Sequence, residues 1–197
     1  MKTYDFLIIG GGIIGVCIAR ELKARHRDCK VLLIEKESRC GLHGSGRNSG
    51  VLHAGFYYTA DSLKARFTRQ GNQQLTEYCQ EKKLKINRCG KLVVTKNEKE
   101  IDGLEELFRR GKQNGVELNE ISEAEAKEIE PRVKTCGKAL FSPNTSTVDP
   151  LEILSSLYQD AQNEGVDIKM GEKYKSRINN TIQTGAENVA FVNNNAS

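Results

Sequence analysis

Tyr4-Asp-Phe-Leu-Ile-Ile-Gly10-Gly-Gly-Ile-Ile-Gly15 starts as an apolar run and turns on glycine into a helical pattern. Tyr4 to Ile9 reads as a short buried strand. From about Gly12 to Ala24 a helix is expected, with Ile14, Ile18 and Leu22 spaced by four along one apolar face. A basic turn, Arg25-His-Arg-Asp28, leads to Val31-Leu-Leu-Ile34, a second apolar run ended by Glu35. Continuous apolar strands flanking a helix read as a strand–helix–strand unit with both strands buried, which is an α/β pattern.

Gly10, Gly12 and Gly15 form GxGxxG. Alone the pattern is weak, because glycines at turns are commonly structural. Here it follows a strand and opens a helix, and Glu35 stands 20 residues beyond Gly15 where the second strand ends. That context is a dinucleotide-binding fingerprint. Gly10 permits the turn, Gly12 lets backbone N–H groups approach a pyrophosphate, and Gly15 lets the helix pack closely on the sheet. The helix N-terminus adds a positive dipole end. Glu35 suits two ribose hydroxyls and repels a 2′-phosphate, which argues against NADP; NAD and FAD both fit. Beyond it, Gly41, Gly44, Gly46 and Gly50 alternate with Ser45, Arg47, Asn48 and Ser49. Such a loop offers many N–H donors and a cation to a long anion, although on composition alone it is also an ordinary surface loop.

Further along, helical patterns cover Ser62 to Lys82, Glu98 to Asn114 and Ser122 to Glu130, and another starts at Asp149-Pro150 and reaches about Asn163. In the second of these, Ile101, Leu104, Leu107 and Phe108 face inward and Gly115 is the stop. In the third, Ser122 and Glu125 make a capping box and Pro131 ends the helix. Cys89 to Thr95 and Val166 to Met170 look like strands. Tyr174 to Ser197 is polar and asparagine-rich, strand-like only at Ala190 to Val192, so the expectation is an α/β chain incomplete at its C-terminus.

Composition narrows the function classes. At 197 residues, 38% hydrophobic and 28% charged, the chain is globular rather than disordered or fibrous. Its longest apolar stretch, Phe6 to Ala19, is broken by three glycines and is shorter than the roughly 20 residues that cross a bilayer. No secretory pattern opens the chain, and the six cysteines contain no CxxC pair. A cytoplasmic protein with reduced thiols and no metal site is therefore expected. The net charge of +4 is spread along the chain, so no nucleic-acid partner is expected.

Gly10 to Gly15, Glu35 and especially Ser45-Gly-Arg-Asn-Ser-Gly-Val-Leu-His-Ala-Gly-Phe-Tyr-Tyr58 resemble the L-2-hydroxyglutarate dehydrogenase/oxidase family, flavoenzymes related to D-amino-acid oxidase and glycine oxidase. Ser62-Leu-Lys-Ala65, Cys89 to Val94, Gln113-Asn-Gly-Val116 and Thr147-Val-Asp-Pro150 resemble it too, in the same order. The resemblance implies FAD in a Rossmann-like domain, with Arg47, Asn48 and Ser49 near the pyrophosphate and ribityl chain. It also implies an inserted α+β substrate domain, a mixed sheet over the flavin. The expected division is 1–85 as the first part of the FAD-binding domain, 86–147 as part of the substrate domain, and 148–197 as a truncated return to the first.

The activity so implied is oxidation of L-2-hydroxyglutarate, or a similar 2-hydroxy acid, to the 2-oxo acid, with hydride passing to flavin N5. A base must take the hydroxyl proton, and His53 is the candidate, since a neutral imidazole titrates near working pH. Packing or flavin orientation are its other readings. Substrate carboxylates need donors and cations; Tyr57, Lys64, Arg66 and Lys91 are candidates, each also readable as a solvated residue. Glycerol-3-phosphate dehydrogenase and glycine-oxidase-like chemistry are the enzymatic alternatives. Tyr57 stands where the former family resembles a cation, which counts against a phosphorylated substrate. An alternative of another class is a noncatalytic fragment, or half of a split flavoenzyme completed by a second polypeptide. The electron acceptor, oxygen or quinone, stays open, as does peripheral membrane contact.

Overall fold

The computed structural model describes residues 2–178, 181–185 and 188–191. It opens with two strands, β1 (Thr3–Tyr4) and β2 (Phe6–Ile9), where the sequence pattern reads one. Asp5 divides them: its carboxylate accepts from the Lys30 N–H while its own N–H donates to the Lys30 carbonyl. Helix α1 (Ile13–Arg25) and strand β3 (Val31–Glu35) follow. Next come β4 (Val51–Leu52), α2 (Leu63–Glu81), β5 (Ile86–Asn87), β6 (Lys91–Val94) and α3 (Ile101–Gln113). Then come β7 (Asn119–Ser122), α4 (Glu123–Ile129), β8 (Lys138–Ser142) and β9 (Ser146–Val148). The chain ends on α5 (Pro150–Asn163), β10 (Asp167–Met170), β11 (Ser176–Ile178), β12 (Thr181–Gln183) and β13 (Asn188–Phe191).

Two units result: Met1–Ser49 with Pro150–Ser197, and Gly50–Asp149. In the first, parallel strands lie in the order β10-β3-β2, the third-second-first order of half a doubly wound dinucleotide fold. Every residue of β3 is buried. The expectation of two buried strands holds for β3 but not for β2, whose Ile9 is 56% exposed because β2 is an edge strand among the described residues. The region read as a polar tail is also more ordered than its composition suggests: β11, β12 and β13 pair antiparallel, and β13 pairs parallel with β1. Val192, part of the strand expected there, lies outside the described residues.

The apolar face read on α1 is not the buried one. Ile14 is 73% and Ile18 47% exposed, while Val16 and Ala19 are fully buried. The reason is the closeness of α1 to the end of β2. A Cβ built on Gly15 would lie 2.0 Å from the Gly10 carbonyl oxygen, so only glycine fits there, and the buried stripe beside it holds Val16 and Ala19. Spacing alone picked out the large residues; close packing selected the small ones.

The second unit starts at Gly50, not at residue 86. β4 and α2 belong to it because Val51 and Leu52 pair with Thr147 and Ser146 of β9, and because the α2 side chain of Asn72 bonds to the chain on either side. Its sheets, β4-β9-β5 and β6-β8-β7, are antiparallel at every pairing among the described residues, where a mixed sheet was implied. The core gathers Ala54, Phe56, Leu104, Val116, Leu118 and Leu140, with Leu107 and Phe108 half-buried against it. The capping box forms as read: Ser122 Oγ accepts from the Glu125 N–H, and Glu125 accepts from the Ser122 N–H.

Gly15→Ala should therefore destabilise the protein by about 3 kcal/mol, the upper range for overpacking a tight contact. Gly44→Ala, where an added Cβ meets nothing within 4 Å, should change stability by less than about 0.5 kcal/mol. Superimposable urea unfolding curves for Gly15→Ala and the parent protein would contradict the close-packing account.

Candidate functional site

In the first unit, local backbone chemistry builds a cradle around the start of α1. Gly10, at φ +109°, donates its N–H to the Ile34 carbonyl, which ties the turn to the end of β3. The preceding Gly12 has no capping side chain, so the first-turn N–H groups of α1 need acceptors from elsewhere. Ser45 supplies one, its Oγ accepting from the Ile13 N–H at 3.0 Å. Glu35, buried at the end of β3, accepts from the Gly11 N–H at 2.6 Å through Oε2 and from the Glu37 N–H at 2.9 Å through Oε1. Those two bonds use only part of a carboxylate's four acceptor sites, which leaves capacity for hydroxyl donors. Burial, and then the Glu35 carboxyl, push the neighbouring Cys40 thiol up to about 11.

The loop residues read as cofactor ligands divide into two groups. Ser45 reaches the helix mouth. Asn48 turns back on its own loop, donating to the Gly44 and Ser45 carbonyls at 3.2 and 3.0 Å, so it shapes the loop instead of presenting its amide. Arg47 and Ser49 are exposed. His43, unassigned by sequence, pairs with Glu37 at 2.8 Å, and Lys36, with His43 second, holds that carboxyl at about 2. A dinucleotide suits this cradle, where a helix N-terminus whose N-cap, Gly12, carries no capping side chain lies beside one buried acid.

In the second unit, His53 lies between β4 and the buried run Ala54-Gly55-Phe56. Burial, and then the Lys91 ammonium, lower its imidazole below the ordinary 6.5. The Lys91 Nζ sits 4.8 Å from the centre of the Tyr57 ring, and the Phe56 ring lies tilted against Tyr57 at 4.2 Å between centroids. Lys91 thus lies over Tyr57 and acts by its charge on His53. Lys64 is elsewhere, stacked on Tyr58 at 4.4 Å, and Arg66 lies over Phe67. Sequence reading passed over Asn72 and Asn114, whose amides grip the backbone carbonyls of the 52–58 run. Only the Gln113-Asn-Gly-Val116 motif hinted at the second. All six cysteines are free, and no metal-binding cluster occurs among the described residues. No helix among the described residues is long and apolar enough to cross a membrane.

Residues 5–194 match the family described as FAD dependent oxidoreductase. The mitochondrial L-2-hydroxyglutarate dehydrogenase of Nematostella vectensis is 43% identical over 171 residues, covering 86% of this chain and 37% of the relative. The Homo sapiens mitochondrial enzyme of that name is 40% identical over 165 residues, covering 83% of this chain and 35% of the relative. The chain thus spans less than two fifths of either length. Among solved structures, the FAD-bound L-alpha-glycerophosphate oxidase of Mycoplasma pneumoniae superposes with a TM-score of 0.84 at 28% identity, over 97% of this chain and 52% of the other. Because the family match runs through both units, the chain belongs to the FAD dependent oxidoreductase family.

Proposed function

We propose that this protein oxidises L-2-hydroxyglutarate, or a similar 2-hydroxy acid, to the 2-oxo acid. The first unit holds FAD and the second supplies the proton acceptor. The observation that carries the reading is in the second unit, where burial and then Lys91, whose ammonium lies over the Tyr57 ring, lower the His53 imidazole below its ordinary value. The names of the 43% and 40% identical relatives support the substrate class.

Bound FAD would accept the hydride that leaves the carbinol carbon. Gly12, the α1 N-terminus and Ser45 would face its pyrophosphate, with Arg47 and Ser49 as further polar contacts, and Glu35 would take the ribose hydroxyls. The neutral His53 imidazole would take the hydroxyl proton as the carbon–hydrogen bond breaks. Lys91 would attract a substrate carboxylate and, by its charge, keep the imidazole unprotonated until the proton arrives. Tyr57 would donate to the same carboxylate; Lys64, stacked on Tyr58, is the weaker candidate. The likeness to a glycerophosphate oxidase favours one second reading, oxidation of glycerol 3-phosphate.

The purified protein should carry a yellow flavin spectrum that L-2-hydroxyglutarate bleaches without oxygen and glycerol 3-phosphate does not. A colourless preparation that takes up no FAD contradicts the cofactor assignment, and the opposite substrate pattern selects the second reading. His53→Ala should slow flavin reduction by on the order of 10² or more, the usual contribution of a general base; an unchanged rate removes it from the chemistry.

The His53 pKa is lowered on folding, so its sign is fixed. The base is active in its neutral form, and the acid limb of kcat/KM should fall below 6.5. The unfolded chain binds this proton more readily than the native one, so the associated stability is present above pH 6.5 and is lost as pH falls through the native pKa. An acid limb above 6.5 would contradict the assignment.

A further inference from the structure

We infer that Asn72 is the residue that positions His53. The inference rests on the assignment of His53 as proton acceptor and extends it to a side chain that touches neither substrate nor cofactor.

Asn72 is buried on α2, and its amide nitrogen donates to three backbone carbonyls: Leu52 at 3.1 Å, His53 at 3.2 Å and Asn144 at 3.0 Å. Two N–H hydrogens shared among three acceptors form a compact clamp. It joins the end of β4 to the turn between β8 and β9, and one of the gripped carbonyls belongs to His53 itself. The far end of the same run is held the same way, since Asn114 donates to the carbonyls of Gly55 at 3.3 Å and Tyr58 at 3.0 Å. Between the clamps, Gly55 at φ +101° lets the backbone approach α2 so closely that a Cβ there would lie 3.3 Å from the Arg69 nitrogen. The backbone carrying His53 is therefore fixed before and after the imidazole, and the side chain keeps its half-buried place beside Lys91. A proton acceptor loses rate steeply when displaced by a fraction of a bond length, so this clamp acts on the reaction without entering it.

The test is Asn72→Leu, which keeps the shape and removes both donors. Chain residues include only three histidines, so the His53 imidazole signal is identified in NMR spectra by its disappearance in His53→Ala. Without the clamp, the His53 titration midpoint should rise toward the ordinary value as the ring leaves its buried place. Flavin reduction in the FAD-loaded protein should slow by on the order of 10-fold while substrate half-saturation changes far less. An unmoved His53 midpoint together with an unchanged reduction rate overturns the inference. If Asn72→Leu does not fold, Asn72→Ser retains one donor, and the same two readouts, expected to shift in the same direction by less, decide. A normal reduction rate in His53→Ala would sink the assignment of His53 as base but not the clamp, because the titration midpoint reports positioning whether or not the ring is catalytic.

Discussion

The first unit is organised by a contact that tolerates no side chain, the approach of Gly15 to the carbonyl of Gly10. With a Cβ forbidden at 2.0 Å, helix α1 lies tight against the strand end it follows, and its inward stripe is small. That closeness brings the backbone N–H groups at the helix mouth to side-chain acceptors, Gly11 donating to Glu35 and Ile13 to Ser45. A bulkier residue at 15 would lift the helix and separate the donors from the acid. On α1, Ile14 and Ile18 point outward, while Val16 and Ala19 are the residues turned inward.

The second unit solves a different problem, holding an irregular run of backbone that carries an imidazole. Irregular segments have no ladder to satisfy their carbonyls, so side-chain amides do it. Asn72 and Asn114 each collect carbonyls from the 52–58 run, and the antiparallel sheets and the Phe56 core beneath keep both helices in register with it. Desolvation then acts on a fixed imidazole, and Lys91 adds to it. Lowering the His53 imidazole and holding the backbone that carries it thus have separate causes, one electrostatic and one geometric.

Much of the cradle was legible in the chain. GxGxxG after an apolar run, an acid 20 residues on and a glycine-rich loop are local features, and the turn, the helix and the buried strand sit where those features place them. The capping box at Ser122 was equally readable, because it depends on two residues three apart. The loop contents were less so. Ser, Asn and Arg side chains look alike as polar donors in sequence, yet Ser45 faces the helix mouth, Asn48 bonds to its own loop and Arg47 is exposed. The start of the second unit was hidden too, since α2 has a surface pattern that says nothing of which unit it packs on.

By itself, then, the chain's order of residues determined the strand–turn–helix–strand unit and the acid at its end, because sterics at glycine, the helical period and strand burial act over a few residues. Only the tertiary structure decided which face of α1 is buried, which loop side chain reaches its amides, and that an asparagine on α2 grips the backbone of His53. Those outcomes join residues far apart in the chain, and distances between such residues are set by how closely the packed elements approach, which no local pattern encodes.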